Sequence, residues 1–130
     1  ATLADRVFVS GNCLVHQFCR IGRLAMMQGS SGISKDLPPF CIARGANGIA
    51  GLNTVGLRRA GVLADDRLSL RRTYHLLFRS DRRRDEALAA AREQEGHNPL
   101  ARELIEFVAT ARRGVCVDTG RRGGAESESE

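Results

Sequence analysis

An apolar residue recurs at every sixth position through the first third of the chain. The series consists of Leu3, Val9, Val15, Ile21, Met27 and Ile33. The positions four residues after these hold mostly small side chains, namely Val7, Cys13, Cys19, Ala25, Ser31 and Leu37. A period of six fits neither an α-helix nor a β-strand, but it is typical of a parallel β-helix built from hexapeptides. Each hexapeptide forms one flat face, so the sequence predicts a triangular prism with large aliphatic side chains inside.

The length of the repeat sets the size of this prism. Three faces close one coil, so residues 3–38 make about two coils. Pro38 and Pro39 follow, and proline has no backbone N–H to donate to a strand ladder. The sequence therefore predicts that the chain leaves the coil at this pair.

Helical spacing replaces the six-residue period after an irregular, glycine-containing link. A short helix is predicted from Asn53 to Ala60, with Asn53 as its cap and Gly61 as its terminator. A longer helix is predicted over 64–79. Its predicted apolar face consists of Leu70, Tyr74, Leu77 and Phe78.

Two further helices are predicted. Ser80 is the expected cap of the third, which runs through "DEALAAAREQE", and Asn98 before Pro99 opens the fourth. The predicted apolar stripe of the fourth helix consists of Leu100, Leu104, Phe107, Val108 and Ala111. Three regions follow from these patterns: β-helix coils over 1–39, an α-helical domain over 40–115 and a disordered tail over 116–130.

Composition narrows the class of partner. The formal charge is +5, and every basic residue except Lys35 is arginine, which favours an anionic partner. Nucleic acid is disfavoured, because stacking on bases requires aromatic side chains and the chain has no Trp and a single Tyr. Phosphorylated small molecules and acidic carrier proteins fit equally well.

Cysteine spacing and hydropathy exclude two further classes. The four cysteines form no C-x-x-C pair, and no histidine stands at zinc-ligand spacing, so no metal site is expected. No stretch approaches the roughly 20 apolar residues of a membrane span, and the expected location is the cytoplasm. The opening at Ala1 instead of Met favours a fragment of a longer protein.

Four ordered stretches carry a resemblance to a known family. They are "LVHQFCRIG", "GISKDLPPFCIARG", "GLNTVGLRRAG" and "YHLLFRS". In this order and spacing they resemble the bacterial acyl-carrier-protein–UDP-N-acetylglucosamine O-acyltransferases of lipid A synthesis, and they cover most of residues 1–80. The resemblance implies a homotrimer of left-handed β-helices, each followed by a small helical C-terminal domain, with active sites between neighbouring subunits.

The reaction implied by the resemblance is the transfer of a 3-hydroxyacyl group from acyl carrier protein to the 3-hydroxyl of UDP-N-acetylglucosamine. A histidine is the general base there and a backbone amide holds the oxyanion. Both groups lie in coils that the family places upstream of Ala1. The resemblance therefore implies no catalytic residue in this chain, which alone should be inactive. It implies no cofactor, because the carrier's phosphopantetheine holds the acyl donor.

Binding residues carry over position by position from the resemblance. His16 and Gln17 match a pair that reaches the UDP-sugar, and Asn53 and Arg59 match nucleotide-binding positions. Gly29 falls where the family sets acyl length, and a glycine there implies a longer chain.

Two departures from the family pattern bear on which nucleotide-sugar is bound and how tightly. Val55 stands where the family has an acidic residue, and Ala60 stands where it has a second arginine. Arg58 is the candidate to supply the missing charge.

The charged run "RSDRRRDE" supports two interpretations. Such a run is usually a solvated surface, in which individual arginines contribute little to stability. As a functional alternative, three arginines of this run attract an acidic acyl carrier protein over long range. They are Arg82, Arg83 and Arg84.

Three functions from different classes remain open at this stage. The first is the C-terminal part of the acyltransferase, active only in the complete trimer. The second is a non-catalytic trimeric scaffold or carrier-binding module. The third is another hexapeptide-repeat enzyme, such as a small-molecule acetyltransferase or a zinc carbonic anhydrase, although His16 is the one histidine within the repeat.

Overall fold

The first half of the chain winds into stacked coils of short strands. The structure, a computed structural model, describes residues 2–3, 8–112 and 114–119. Six two-residue strands follow one another at intervals of six. They are β1 (Thr2–Leu3), β2 (Phe8–Val9), β3 (Leu14–Val15), β4 (Arg20–Ile21), β5 (Met26–Met27) and β6 (Gly32–Ile33). β1 pairs with β4, β2 with β5 and β3 with β6, all in parallel. These three pairings are the three faces of a prism, as the repeat predicts.

The interior of the prism matches the predicted division into large and small side chains. Ile21, Met27 and Ile33 are buried in the second coil. The predicted small positions Cys19, Ala25, Ser31 and Leu37 are buried with them. Leu3 and Val9 of the first coil are 51% and 40% exposed, because only the second coil packs on them within the described residues. Val7 lies outside the described residues.

Five of the described corners of the prism are tight turns with a left-handed residue. In the turn from His16 to Cys19, the Cys19 N–H donates to the His16 carbonyl at 3.3 Å, and Phe18 has φ 74°. A positive φ at the third turn position is the mark of a type II turn. The same position elsewhere is held by Asn12, Leu24, Ser30 and Phe40, with φ between 58° and 68°.

The prediction that the coil ends at the two prolines was wrong. Strand β7 (Cys41–Arg44) continues the prism and pairs in parallel with β5, so a third coil follows. Met26 pairs with Ile42, 16 positions on, whereas Thr2 pairs with Arg20, 18 positions on. Pro39 is the second residue of the corner turn, where its fixed φ is favoured and its missing N–H has no strand partner to lose.

The region predicted as wholly helical begins with a β-hairpin. Strand β8 (Gly48–Leu52) is buried throughout and runs antiparallel to β7. Its "GIAG" sequence has no polar alternation, because β8 is covered on both faces, and this concealed it from sequence analysis.

The helices follow the hairpin. They are α1 (Thr54–Arg59), α2 (Ala64–Tyr74), α3 (Arg84–Glu95) and α4 (Pro99–Ala109), with a π-helical turn at His75–Arg79. Asn53 and Asn98 cap α1 and α4 as predicted. Ser80 does not cap α3, because its hydroxyl donates back to the Leu76 carbonyl at 2.7 Å and so ends the π turn. Among the described residues, no helix is long and apolar enough to cross a membrane.

The start of the predicted disordered tail is ordered. Strand β9 (Val117–Asp118) pairs in parallel with β8, and Cys116 beside it is fully buried. The Asp118 carboxylate accepts hydrogen bonds from Tyr74 Oη at 2.7 Å and from Arg79 Nε at 3.1 Å. Because a π turn aligns residues five apart, Tyr74 and Arg79 reach the same carboxylate. Residues 120–130 lie outside the described residues.

A test of the coil stacking uses two glycines. Gly22 lies beneath Pro39, and a Cβ at Gly22 would overlap the Pro39 backbone. We expect Gly22→Ala to lower the free energy of unfolding by about 2 kcal/mol, measured by urea denaturation. Gly29→Ala is the matched control, because its Cβ would meet nothing nearer than the Gly11 carbonyl oxygen at 3.8 Å. Equal stability of the two variants would contradict this account of the third coil.

Candidate functional site

A groove runs between the coils and the first helix. Its volume is ≈ 550 Å³, and it is lined by Leu24, Met26, Ile42, Asn53, Val55, Gly56 and Arg59. Met26 and Ile42 are outward-facing neighbours on β5 and β7, which makes one wall apolar. The sequence prediction identified Asn53 and Arg59 but missed this wall. An apolar residue at an outward strand position, such as Met26 before the inward Met27, was the available signal.

Asn53 joins the two walls of the groove. Its Oδ1 accepts from the Gly56 N–H at 3.1 Å, which caps α1, and its Nδ2 donates to the Leu24 carbonyl at 3.0 Å. One amide proton and one oxygen lone pair remain for a ligand. A Cβ at Gly56 would overlap the Asn53 side chain, so the glycine three residues after the asparagine is required by this contact.

Arg59 lies at the end of α1 with an exposed side chain. Within the described residues, no ion pair or hydrogen bond engages its guanidinium. Val55, one turn earlier, is 53% exposed and adds to the apolar lining. The groove therefore combines an apolar wall with the Arg59 guanidinium and the Asn53 carboxamide.

The His16–Gln17 corner lies apart from this groove. Both side chains are exposed on the turn between β3 and β4, and neither lines the groove of Asn53 and Arg59. His16 Nδ1 lies 3.0 Å from the Gln17 carbonyl oxygen. Phe18, the next residue, is 70% exposed. A single chain therefore does not bring the four predicted binding residues together.

Gly29 occupies the exposed corner between β5 and β6 and is stacked on Gly11. Its φ is not in the left-handed region, which is taken by Ser30 instead. A side chain at Gly29 would therefore fit without backbone strain and would project from the corner.

The three arginines before α3 have different surroundings. Arg83 forms an ion pair with Asp85 at 3.2 Å, and Arg84 donates to the Val108 carbonyl at the end of α4. Within the described residues, Arg82 has no side-chain partner. The charged run alone does not distinguish the three arginines, but the structure shows that Arg84 supports the fold.

The groups with strongly shifted pKa values belong to the core. Burial raises the pKa of the Cys116 thiol to about 12, with Cys19 and Asp36 adding to the effect. Burial, followed by the neighbouring Cys116, also raises the pKa of Cys41. Thiols that stay protonated at neutral pH are poor nucleophiles. In the described part of the chain, no group of three or more His, Cys, Asp or Glu residues is arranged to hold a metal ion.

Comparison with known proteins gives a consistent match. A family model described as UDP N-acetylglucosamine O-acyltransferase, domain 2, matches residues 36–116. The acyl-[acyl-carrier-protein]–UDP-N-acetylglucosamine O-acyltransferase of Anaeromyxobacter sp. (strain Fw109-5) is 39% identical over 115 residues. That alignment covers 87% of this chain and 44% of the relative. The enzyme of the same name from Herminiimonas arsenicoxydans is 38% identical, with coverages of 87% and 45%.

Solved structures agree with the sequence matches. The Francisella novicida UDP-N-acetylglucosamine acyltransferase superposes with a TM-score of 0.83 at 26% identity, covering 94% of this chain and 45% of that one. The Arabidopsis UDP-N-acetylglucosamine acyltransferase gives 0.82 at 30% identity, with coverages of 88% and 43%. The chain thus spans less than half the length of these proteins.

The unequal surroundings of the arginines give a test. We expect Arg84→Met to lower the free energy of unfolding by about 1 kcal/mol, because the Val108 carbonyl loses its charged donor. Arg82→Met removes the same charge where no bond is lost, and it should change stability by less than about 0.5 kcal/mol. Thermal and urea unfolding of both variants would measure the difference. Equal effects would show that the Arg84 contact contributes nothing to stability.

Proposed function

Since the chain belongs to the UDP-N-acetylglucosamine O-acyltransferase family, we propose that it is the C-terminal part of the enzyme that acylates UDP-N-acetylglucosamine. In the proposed reaction a (3-hydroxy)acyl group moves from acyl carrier protein to the 3-hydroxyl of the sugar, as the first step of lipid A synthesis in the cytoplasm. The observation that carries the proposal is the groove beside Asn53 and Arg59. It pairs an apolar surface with an exposed guanidinium, and a nucleotide-sugar needs both.

The proposed role of the groove is to hold the nucleotide end of the acceptor. The Arg59 guanidinium binds phosphate oxygens in a fork, and Arg58 beside it adds to the positive charge. Asn53 offers its remaining proton and lone pair to the nucleoside. Val55 supplies packing where relatives would supply a carboxylate, so the nucleoside is held here with fewer polar contacts.

The proposed assembly is a trimer of left-handed β-helices. His16 and Gln17 lie away from the groove of their own chain, so a complete site needs the corner of one subunit to face the groove of its neighbour. Exposed apolar side chains near that corner support this arrangement, because Leu14 is 76% exposed and Phe18 is 70% exposed. Burying them between subunits would be favourable by about 1.5–3 kcal/mol for each side chain.

The proposed chemistry is acyl transfer from a thioester. A general base takes the proton of the 3-hydroxyl as its oxygen attacks the thioester carbon, and the carbon–sulfur bond then breaks to release the carrier's thiol. The thioester is already activated, so the proposal requires no further cofactor. We place the base outside residues 1–130, and the role of this chain is to bind and orient the acceptor.

The proposed carrier contact is the exposed run before α3. Acyl carrier protein is an acidic partner, and Arg82, Arg83 and Arg84 would attract it over long range. Arg82 is the member of this run that no contact in the described residues engages. Arg84 contributes by charge while its guanidinium holds α4.

The decisive experiment compares two arginines in the full-length parent enzyme. We expect Arg59→Gln to raise the KM for UDP-N-acetylglucosamine about tenfold or more, because a charged contact to phosphate is lost. Arg102→Gln, on the exposed face of α4, is the matched control and should leave the KM within about twofold. Steady-state acyl-transfer assays measure both.

Three outcomes would oppose the proposal. An unchanged KM in Arg59→Gln would show that the groove does not bind the nucleotide. Turnover by the 130-residue chain alone would place the base within it. A parent protein that binds acyl carrier protein but transfers no acyl group would be the scaffold considered above.

Gly29 gives a second functional test. In the parent enzyme, Gly29→Met should shift preference towards shorter acyl chains, with the ratio of kcat/KM between long and short donors falling about tenfold or more. The side chain fits the corner without strain, so the loss should reflect a shortened acyl groove. Gly29→Ala should give a smaller shift in the same direction. A uniform loss for all donor lengths would show that Gly29 does not set acyl length.

A further inference from the structure

A second cavity lies on the outer face of the helical layer. Leu68, Arg71, Arg72 and His75 line it from α2 and the start of the π turn. They stand at positions i, i+3, i+4 and i+7, so they share one helix face. Leu76 of the π turn and Gln94 of α3 complete the lining, and the cavity has a volume of ≈ 440 Å³. It shares no residue with the groove of Asn53 and Arg59.

The charges in this cavity are of one sign. Two guanidiniums and an imidazole line it, and no carboxylate does. Two nearby carboxylates are engaged within the helical layer. Glu95 is buried and accepts from the Ser69 hydroxyl at 2.7 Å, and Asp66 accepts from Asn98 Nδ2 at 2.8 Å.

Two of the cationic or polar groups are open to a ligand. The side chains of Arg72 and His75 are exposed, and within the described residues no hydrogen bond or ion pair engages them. A concave surface whose charged lining residues are all positive concentrates anions. Arginine on such a surface favours phosphate, because its planar fork matches two phosphate oxygens.

We propose that this cavity, which we call the α2–α3 pocket, binds a phosphorylated small molecule with a compact apolar part. The phosphate is held by Arg72 with Arg71 and His75, the carboxamide of Gln94 binds a polar edge, and Leu68 and Leu76 pack on the apolar part. The volume lies within the roughly 300–1,000 Å³ that small-molecule sites occupy. Lining from two helices favours a small ligand over a protein segment, which would need a longer groove. This site goes beyond the proposed acyl transfer and does not depend on it.

The test is a binding titration of the complete chain at low ionic strength. The probes are inorganic phosphate, pyrophosphate and phenyl phosphate, followed by the amide NMR signals of α2 and α3. We expect saturable shifts around Arg72, His75 and Gln94. Phenyl phosphate should bind at least about threefold more tightly than inorganic phosphate, because its ring buries apolar surface.

Variants locate the site. Arg72→Gln should weaken phenyl phosphate binding about fivefold or more, and His75→Gln provides a second, independent change if the first alters folding. Arg102→Gln removes one positive charge outside the pocket and is the matched control, with an expected change below about twofold. Thermal unfolding of each variant confirms that the fold is kept.

Three results would overturn the proposal. Equal weakening by Arg72→Gln and Arg102→Gln would show general attraction of anions to a basic protein. The absence of saturable shifts with all three probes would show that the cavity takes no phosphate. Shifts of the same signals by an acidic carrier protein, with none from the small phosphates, would make this face a protein-docking surface. Because each readout is binding to this chain, failure here leaves the proposed acyl transfer untouched.

Discussion

The buried carboxylate of Asp36 holds three parts of the molecule together. It accepts hydrogen bonds from the Arg20 backbone N–H at 2.8 Å and from Arg20 Nε at 2.9 Å. Asp36 as a whole is only 2% exposed. The same guanidinium donates to the Phe107 carbonyl at 2.9 Å and stacks on the Phe107 ring, so it ties the coils to the end of α4. The Asp36 backbone N–H donates to the Gly114 carbonyl, and its carbonyl accepts from the Cys116 N–H. These two hydrogen bonds hold the segment that leads into β9 against the coils. A charge this deeply buried is tolerated only with its partners in place, so coil, helix and strand depend on one another.

Much of the fold was accessible from the sequence because it is periodic. The six-residue period alone predicts buried positions such as Ile21 and Met27. Asn53 and Asn98 predict the starts of α1 and α4, because asparagine is a favoured helix cap. The features that escaped prediction depend on contacts distant in sequence. Gly22 must be small because Pro39 of the next coil lies on it, and nothing near Gly22 in the chain reveals this. The left-handed corner at Phe18 is likewise imposed by closure of the coil, since phenylalanine has no preference for that backbone.

The proposed binding residues divide along the same line. The family resemblance singled out Arg59 and Asn53, but only the structure shows that the Asn53 amide also bonds the Leu24 corner. The α2–α3 pocket could be predicted only in part. Helical spacing alone places Leu68, Arg71 and His75 on one face of α2, whereas the approach of Gln94 from another helix depends on the fold. The place of His75 in a cavity likewise depends on that approach.

The shortened third coil has a consequence for how such a chain can change over evolutionary time. Its path is two residues tighter than the turn beneath it, and the hairpin and helices close over it. An extra coil of three hexapeptides therefore could not stack in register on the shortened third coil. It could stack in register on the 18-residue coils below it. The stack can vary in height only on the N-terminal side of the third coil, and the groove of Asn53 and Arg59 keeps its shape whatever number of coils supports it.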